Sequence, residues 1–147
     1  MPELATKAFG KINIEYDQII DFPEGIFGFN DHVQFALIEE SEDTPFKWLQ
    51  SVMEEEIAFI VIQPELFMTD KYTPEISKSD LELIQADSIE ECVVLTIVTI
   101  PENNPEKMTA NLQGPILINK SCKIGRQLIS NNANHLVRVP ILEQLGG

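Results

Sequence analysis

Apolar residues along this chain recur mostly with a period of two, the spacing typical of β-strands. Two runs, at 57–62 and 92–100, are continuously apolar, which is typical of strands covered on both faces. In the alternating run at 46–52, Phe46 and Trp48 fall on one face. The pattern predicts strands at residues 11–16, 32–38, 46–52, 57–62, 92–100, 116–118 and 127–129.

Proline and glycine interrupt these runs at short intervals. Many short strands with frequent turn signals predict an all-β, mostly antiparallel fold of small, barrel-like form. One segment has a helical pattern, because Ser77 and Asp80 have capping-box spacing and Leu81 and Ile84 follow three apart. We expect one short helix of two or three turns near residues 78–85. Since no linker or repeat divides the chain, residues 1–147 are predicted to form a single domain.

The segment DFPEGIFGF at 21–29 combines a turn signal with unusually large apolar side chains. Pro23 and Gly25 suit the second and fourth positions of a tight turn. Around that turn lie four apolar residues, Phe22, Ile26, Phe27 and Phe29. They are predicted either to fill one end of a barrel or cover an edge strand, or to form a docking surface for a partner.

The charge distribution narrows the classes of partner. The chain has 10 basic and 24 acidic side chains, for a net charge of −14. Such a surface repels phosphate, which argues against direct nucleic-acid binding, and it attracts basic partners. Acidic residues also keep proteins soluble, so the charge alone does not require a partner. The two densest tracts contain Glu39, Glu40, Glu42 and Asp43 and then Glu54, Glu55 and Glu56.

Sequence signatures of catalysis are absent. There is no glycine-rich phosphate loop and no GxSxG motif, and His32 and His135 have no metal-ligand spacing around them. We therefore predict no catalytic residues, no metal and no cofactor. Cys92 and Cys122 are expected to be reduced thiols. With no apolar span of membrane length and no signal-peptide pattern at the start, the protein is expected in the cytoplasm, away from membranes.

Three features admit both a structural and a binding interpretation. Trp48, the only Trp, is either a core anchor or an interface anchor. Residues 108–115, MTANLQGP, read as a strand broken by Gly-Pro, in which Asn111 is expected to hydrogen-bond the irregular backbone. The acidic run at 54–56 is either a solvated turn or an element that steers a partner.

Several motifs occur together in a recognisable order: FPEGIFGF at 22–29, PFKWLQS at 45–51, YTPEI at 72–76, MTANLQGPILIN at 108–119 and VRVP at 137–140. In this order and spacing the chain resembles the FliW family of bacterial flagellar assembly factors over nearly its whole length. Gly114 and Val139 depart from the residues that are common in the family at these positions.

The resemblance implies a barrel-like β protein without catalytic activity. It also implies two partners. One is flagellin, bound near its C-terminal region, and the other is CsrA, an RNA-binding repressor of flagellin synthesis. Export of flagellin would free the FliW-like protein to sequester CsrA, which is a partner-switching feedback loop.

Two alternatives remain beside this interpretation: a dedicated flagellin chaperone without a CsrA role, and a barrel that holds a small ligand in its interior. For partner contact we select the five residues Phe46, Trp48, Met108, Asn111 and Leu112. For electrostatic steering we select Glu39, Glu40, Glu42, Asp43, Glu54, Glu55 and Glu56.

Overall fold

The structure, a computed structural model, describes residues 3–26, 28–29, 31–39, 44–64, 76–130 and 139–141. Within these ranges the chain forms eleven strands and one short α-helix. The strands are β1 (Glu3–Thr6), β2 (Gly10–Asn13), β3 (Ile19–Asp21), β4 (Gln34–Glu39), β5 (Phe46–Ser51), β6 (Ala58–Ile62), β7 (Cys92–Thr99), β8 (Thr109–Ala110), β9 (Ile116–Asn119), β10 (Ile124–Gln127) and β11 (Val139–Pro140), and the helix is α1 (Lys78–Leu83).

Seven of these strands close into a barrel. The strand order is β7-β6-β5-β4-β3-β10-β9, and β9 pairs back with β7. Every pairing around the barrel is antiparallel except that of β3 with β10, which is parallel at Asp21 and Ile124. The predicted fold class, an all-β and mostly antiparallel barrel with one short helix, is confirmed.

The barrel interior is filled by large apolar side chains from every barrel strand except β10. Alternate residues of each strand point inward, so Phe35 of β4, Leu49 of β5 and Val61 of β6 are all fully buried. Ile20, Phe22, Ile26, Leu95, Ile116 and Ile118 complete this core, each at most 2% exposed. The side chains inside the barrel pack against one another.

Three smaller apolar clusters cover parts of the barrel's outer face. The β1–β2 hairpin lays Leu4 over Ala36 and Ile38 of β4. The helix α1 and the residues after it lay Leu81 and Ile84 over strands β7 and β9. Beyond the end of β8, Leu112 and Ile141 pack with Ile62 of β6 and Val98 of β7. Several strands are therefore buried on both faces.

The helix begins and ends where local chemistry dictates. The Ser77 hydroxyl accepts a hydrogen bond from the Asp80 N–H at 3.2 Å, which satisfies one of the free donors of the first turn. Leu81 is buried, and Gln85 adopts a left-handed φ of 59° just after the helix. At six residues, α1 has fewer than the predicted two or three turns.

One predicted strand is displaced along the chain. The apolar run 127–129 predicts a strand there, but β10 occupies Ile124–Gln127 and ends where that run begins. The reason is that β10 buries Gly125 and Gln127, which have no apolar side chain to signal a strand. The predicted strand at 11–16 also ends early, because Tyr16–Gln18 form a 3-10 turn.

Candidate partner-binding surface

The apolar turn at residues 22–29 fills one end of the barrel. The Gly25 N–H donates to the Phe22 carbonyl at 2.8 Å, which closes the tight turn, and Gly25 has a φ of +67°. Phe22 is fully buried and Ile26 is 1% exposed, both inside the barrel core. Phe29 packs edge-on against Phe59 of β6, with 5.2 Å between ring centroids. The core-filling interpretation holds for these residues, and Phe27 lies outside the described part of the chain.

Three of the five residues selected for partner contact lie together. Phe46 and Met108 are half-buried and pack against the outer cluster that contains Leu112. Leu112 itself is 1% exposed, so its side chain makes core contacts. Any partner surface at this place would be formed by Phe46 and Met108, with Leu112 supporting them from below.

Asn111 has a clear role in the backbone of its loop. Its Oδ1 accepts hydrogen bonds from the N–H groups of Gln113 at 3.0 Å and Gly114 at 2.9 Å. This is the turn-stabilising bond expected from the MTANLQGP motif. The side chain orders the connection between β8 and β9, in which a Cβ atom at Gly114 would stand 3.0 Å from Gln127 Nε2 and 3.2 Å from Asn111 Nδ2.

Trp48 lies apart from that cluster, on the same outer face of β5. It is half-buried beneath the β1–β2 hairpin, and its ring meets that of Phe9 at 82° with 5.7 Å between centroids. Trp48 pairs with Ile60 across β5 and β6, and Ile60 pairs with Val98 across β6 and β7. Directly opposite residues share a face, so these three side chains form a row on the outside of the barrel.

This row is the floor of an open groove. The groove has a volume of about 430 Å³ and runs between the tip of the β1–β2 hairpin and the end of β7. Ile100, at its open edge, is 40% exposed. The groove is lined by Lys7, Ala8, Trp48, Ala58, Phe59, Ile60, Val98 and Ile100. Apart from Trp48, none of these residues was selected from the sequence, although Ile100 ends the apolar run at 92–100.

The acidic turn 54–56 is held in place by a buried amide. Gln50 of β5 is 1% exposed, and its Oε1 accepts from the Lys7 N–H at 2.9 Å. Its Nε2 lies 3.3 Å from the Glu54 carbonyl oxygen and 3.0 Å from that of Glu55. One side chain therefore joins the hairpin tip to the acidic turn, and Glu54, Glu55 and Glu56 point into solvent from a fixed backbone.

Of the other four residues selected for electrostatic steering, the structure describes Glu39 alone. Glu39 is exposed and its carboxylate pairs with Lys47 Nζ at 3.0 Å across β4 and β5. Glu40, Glu42 and Asp43 lie outside the described residues, as does His135.

A serine, a histidine and a carboxylate come together that the sequence did not reveal. His32 Nδ1 is 3.1 Å from Ser51 Oγ, and His32 Nε2 is 3.8 Å from Glu54 Oε2. Ser51 is 1% exposed, and its Oγ already accepts from the N–H groups of Met53 and Glu54, both at 3.1 Å. A catalytic serine needs an accessible oxygen beside free oxyanion donors. These contacts instead stabilise the start of the β5–β6 turn.

The thiols and carboxylates offer little further chemistry. No group of three or more His, Cys, Asp or Glu within the described ranges is placed to hold a metal ion. Cys92 is buried and Cys122 exposed, both as free thiols. Burial raises the pKa of the Cys92 thiol, and the neighbouring Glu91 carboxylate raises it further.

In the portion of the chain that the structure covers, no helix has the length and apolar character needed to cross a bilayer.

The fold and its outer surface define a small, acidic β-barrel with a filled interior and an apolar groove on the outside. The family profile described as FliW protein matches residues 3–141. The chain belongs to the FliW family, and the resemblance seen in its motifs is thereby confirmed.

Relatives of this chain carry a consistent name. The flagellar assembly factor FliW of Leptospira interrogans is 51% identical over 141 residues, which is 96% of this chain and 93% of the relative. That of Thermoanaerobacter pseudethanolicus is 43% identical over 144 residues, 97% of this chain and 95% of the relative. A crystal structure of the flagellar assembly factor FliW superposes with a TM-score of 0.85 at 32% identity, covering 95% of this chain and 96% of that one.

Proposed function

We propose that this protein is a non-enzymatic regulator of flagellum assembly that binds CsrA and flagellin in turn. When bound to CsrA it prevents repression of flagellin mRNA, and when bound to flagellin it leaves CsrA active. The observation that carries the proposal is the 51% identity, along nearly the whole chain, to a flagellar assembly factor. Such a protein would act in the cytoplasm, where flagellin is synthesised.

The charge of the chain supports a basic partner. A protein with a net charge of −14 is attracted to an RNA-binding protein, whose surface must be basic to bind phosphate. The exposed carboxylates of Glu54, Glu55 and Glu56 stand on a turn whose backbone Gln50 fixes. A fixed acidic element attracts a basic surface without the entropic cost of ordering that element on binding.

The deciding experiment is calorimetric titration of this protein with purified CsrA and, separately, with purified flagellin. We expect saturable binding to both and displacement of one partner by the other. Binding to flagellin alone would favour the dedicated chaperone. Absence of binding to both would reject the proposal and leave the family membership intact.

The proposed antagonism of CsrA has an electrostatic part. Carboxylates docked beside an RNA site oppose phosphate without occupying that site, which couples the two binding events. Salt screens such repulsion, so the loss of CsrA–RNA affinity caused by this protein should shrink as ionic strength rises. An equal loss at 50 mM and at 500 mM salt would contradict an electrostatic mechanism.

The third interpretation, a carrier of a small ligand, has less support. A carrier barrel keeps space in its interior for the ligand. Here Phe22, Phe35 and Leu49, each fully buried, pack into the interior together with six further core residues. The same calorimeter, loaded with a panel of small apolar ligands, should record no heat of binding.

A further inference from the structure

We propose that the outer groove beside Trp48 binds a segment of the basic partner in which apolar side chains stand next to Lys or Arg residues. This inference deepens the proposed function and rests on it, because it says where and by what chemistry the basic partner is recognised. In the terms of that function, the basic partner is CsrA.

The floor of the groove is apolar and open. Trp48, Ile60 and Val98 form one row across β5, β6 and β7. Ala58 lies two residues before Ile60 and Ile100 two residues after Val98, so these two add a second row on the same face. A volume of about 430 Å³ falls within the range of sites that bind ligands through apolar contacts.

The second row ends at two acidic turns. Strands β6 and β7 run antiparallel, so the start of β6 and the end of β7 lie at the same end of the barrel. The turn before β6 contains Glu54, Glu55 and Glu56, and the turn after β7 contains Glu102, Glu106 and Lys107. Five carboxylates therefore lie at this end of the groove, with Glu54 Oε2 3.8 Å from His32 Nε2, and they outnumber the two nearby ammonium groups, Lys107 and the Lys7 of the groove lining.

One wall of the groove carries the hairpin tip with Lys7 and Ala8. The Lys7 backbone is held by Gln50, the same side chain that holds the Glu54–Glu56 turn. One wall and the acidic end of the groove are thus fixed relative to each other before a partner arrives. A preformed groove loses little conformational entropy on binding.

Charge complementarity selects the occupant. A neutral apolar segment would make favourable contacts with the floor but would have no electrostatic attraction to the acidic end. An acidic segment would be repelled there. A segment with apolar residues followed by Lys or Arg satisfies both parts of the surface. Peptide segments of this kind dock in grooves through a few apolar anchors and are oriented by the charges beside them.

The first test compares two exposed apolar residues of similar exposure. Ile100 in the groove is 40% exposed, and Leu83 on α1 is 52% exposed. We expect Ile100→Ser to weaken binding of purified CsrA roughly tenfold in calorimetry, as loss of one anchor does. Leu83→Ser should bind CsrA as the unaltered protein does. Thermal melts of both variants establish that the fold is retained.

The second test reverses one charge at either end of β7. Glu102 lies at the acidic end of the groove, whereas Glu90 lies before β7, so the length of that eight-residue strand, about 25 Å, separates the two positions. Both variants change the net charge equally, so an effect of net charge alone would be the same in both. We expect Glu102→Lys to weaken CsrA binding several-fold more than Glu90→Lys at low salt, and the difference to shrink at high salt.

The outcomes separate this inference from the proposed function. If the unaltered protein binds neither CsrA nor flagellin, the proposed function fails and the inference with it. If it binds CsrA and both members of each pair bind equally well, only the groove assignment is overturned. Loss of flagellin binding alone in Ile100→Ser would also overturn it, because the groove would then serve the other partner.

Discussion

The ring of Phe22 lies so close to Gly125 that a Cβ atom at position 125 would stand 2.8 Å from ring atoms Cε1 and Cζ. The ring cannot move away freely, because it packs edge-on against Phe35 with 5.3 Å between centroids. The apolar turn and strand β10 thus fit together only because residue 125 has no side chain.

The change Gly125→Ala should therefore destabilise the barrel. Overpacking of a filled core costs about 1–3 kcal/mol, and the added methyl group would also come within 3.2 Å of Ile118 Cγ1. Urea unfolding measures the loss. In the Phe22→Leu background the same change should cost less, and equal costs in the two backgrounds would show that the contact does not limit position 125.

Trp48→Ala should lower stability by about 2–3 kcal/mol, less than for a fully buried Trp because the ring is half-buried. Part of this cost belongs to the contact with Phe9. A double-mutant cycle with Phe9→Ala should show a coupling of about 1 kcal/mol between the two rings, measured by chemical unfolding. Additive costs would mean that the hairpin is held down by its other contacts.

Gln50→Leu should destabilise the protein by about 2 kcal/mol, because the part-buried carbonyl groups of Glu55 and Ile57 lose the hydrogen bonds that the Gln50 amide donates to them. The Lys7 N–H loses its acceptor, so its amide should exchange with solvent faster. Gln50→Glu keeps that acceptor and should retain more protection at Lys7. Hydrogen exchange followed by NMR distinguishes the two variants, and equal exchange at Lys7 in both would contradict the role of Oε1.

Asn111→Ala should cost about 1 kcal/mol, since two N–H groups of the following loop lose their acceptor. Asn111→Asp preserves the accepting oxygen and should cost less. Thermal unfolding compares the two. If Asn111→Ala weakens partner binding while Asn111→Asp restores it, the effect passes through the loop geometry rather than through a direct amide contact.

The two thiols should differ in reactivity. Cys122 is exposed and should be alkylated quickly, whereas Cys92 should react slowly until the protein unfolds. Burial and the Glu91 charge raise the pKa of Cys92, so its thiolate forms at higher pH in the folded protein than in the unfolded chain. Its stabilising contribution is complete below about pH 8.5, the unfolded value, and is lost as pH rises through the folded value.

Mass spectrometry of iodoacetamide-treated protein at increasing pH follows both sites. Labelling at Cys122 should precede labelling at Cys92 at every pH. Simultaneous labelling of the folded protein would contradict the burial of Cys92.

Sequence patterns correctly predict the strands in which most residues are apolar. The run 92–100 matches β7, Cys92–Thr99, nearly residue for residue, since that strand is covered on both faces. The sequence pattern does not predict β3, because three residues are too few to show a period. The alternation at 32–38 suggested one buried face, yet Ala36 and Ile38 are buried as well, since the β1–β2 hairpin covers them. The period of apolar residues within one strand does not show whether a segment distant in the sequence covers the second face of that strand.

The surface was harder to predict than the fold. The alternation along β5 correctly predicts that Phe46 and Trp48 share one face of the strand. The groove, however, depends on which strands are neighbours, and Val98 meets Ile60 only through the pairing of β6 with β7. The sequence gives no indication that Gln50 is buried, because the burial of an amide side chain depends on hydrogen-bond partners that only the fold brings to it.

The parallel pairing of Asp21 with Ile124 has a consequence for synthesis of the protein. These residues are 103 positions apart in the sequence (124 − 21), so the barrel closes only after β10 has left the ribosome. Until then the hydrogen-bonding edges of β3 and β7 remain open, and contacts of such high contact order form slowly. Before the barrel closes, the open strand edges of a nascent chain can pair with another chain. Over that interval, the dense negative charge of the first hundred residues is what keeps the chain soluble.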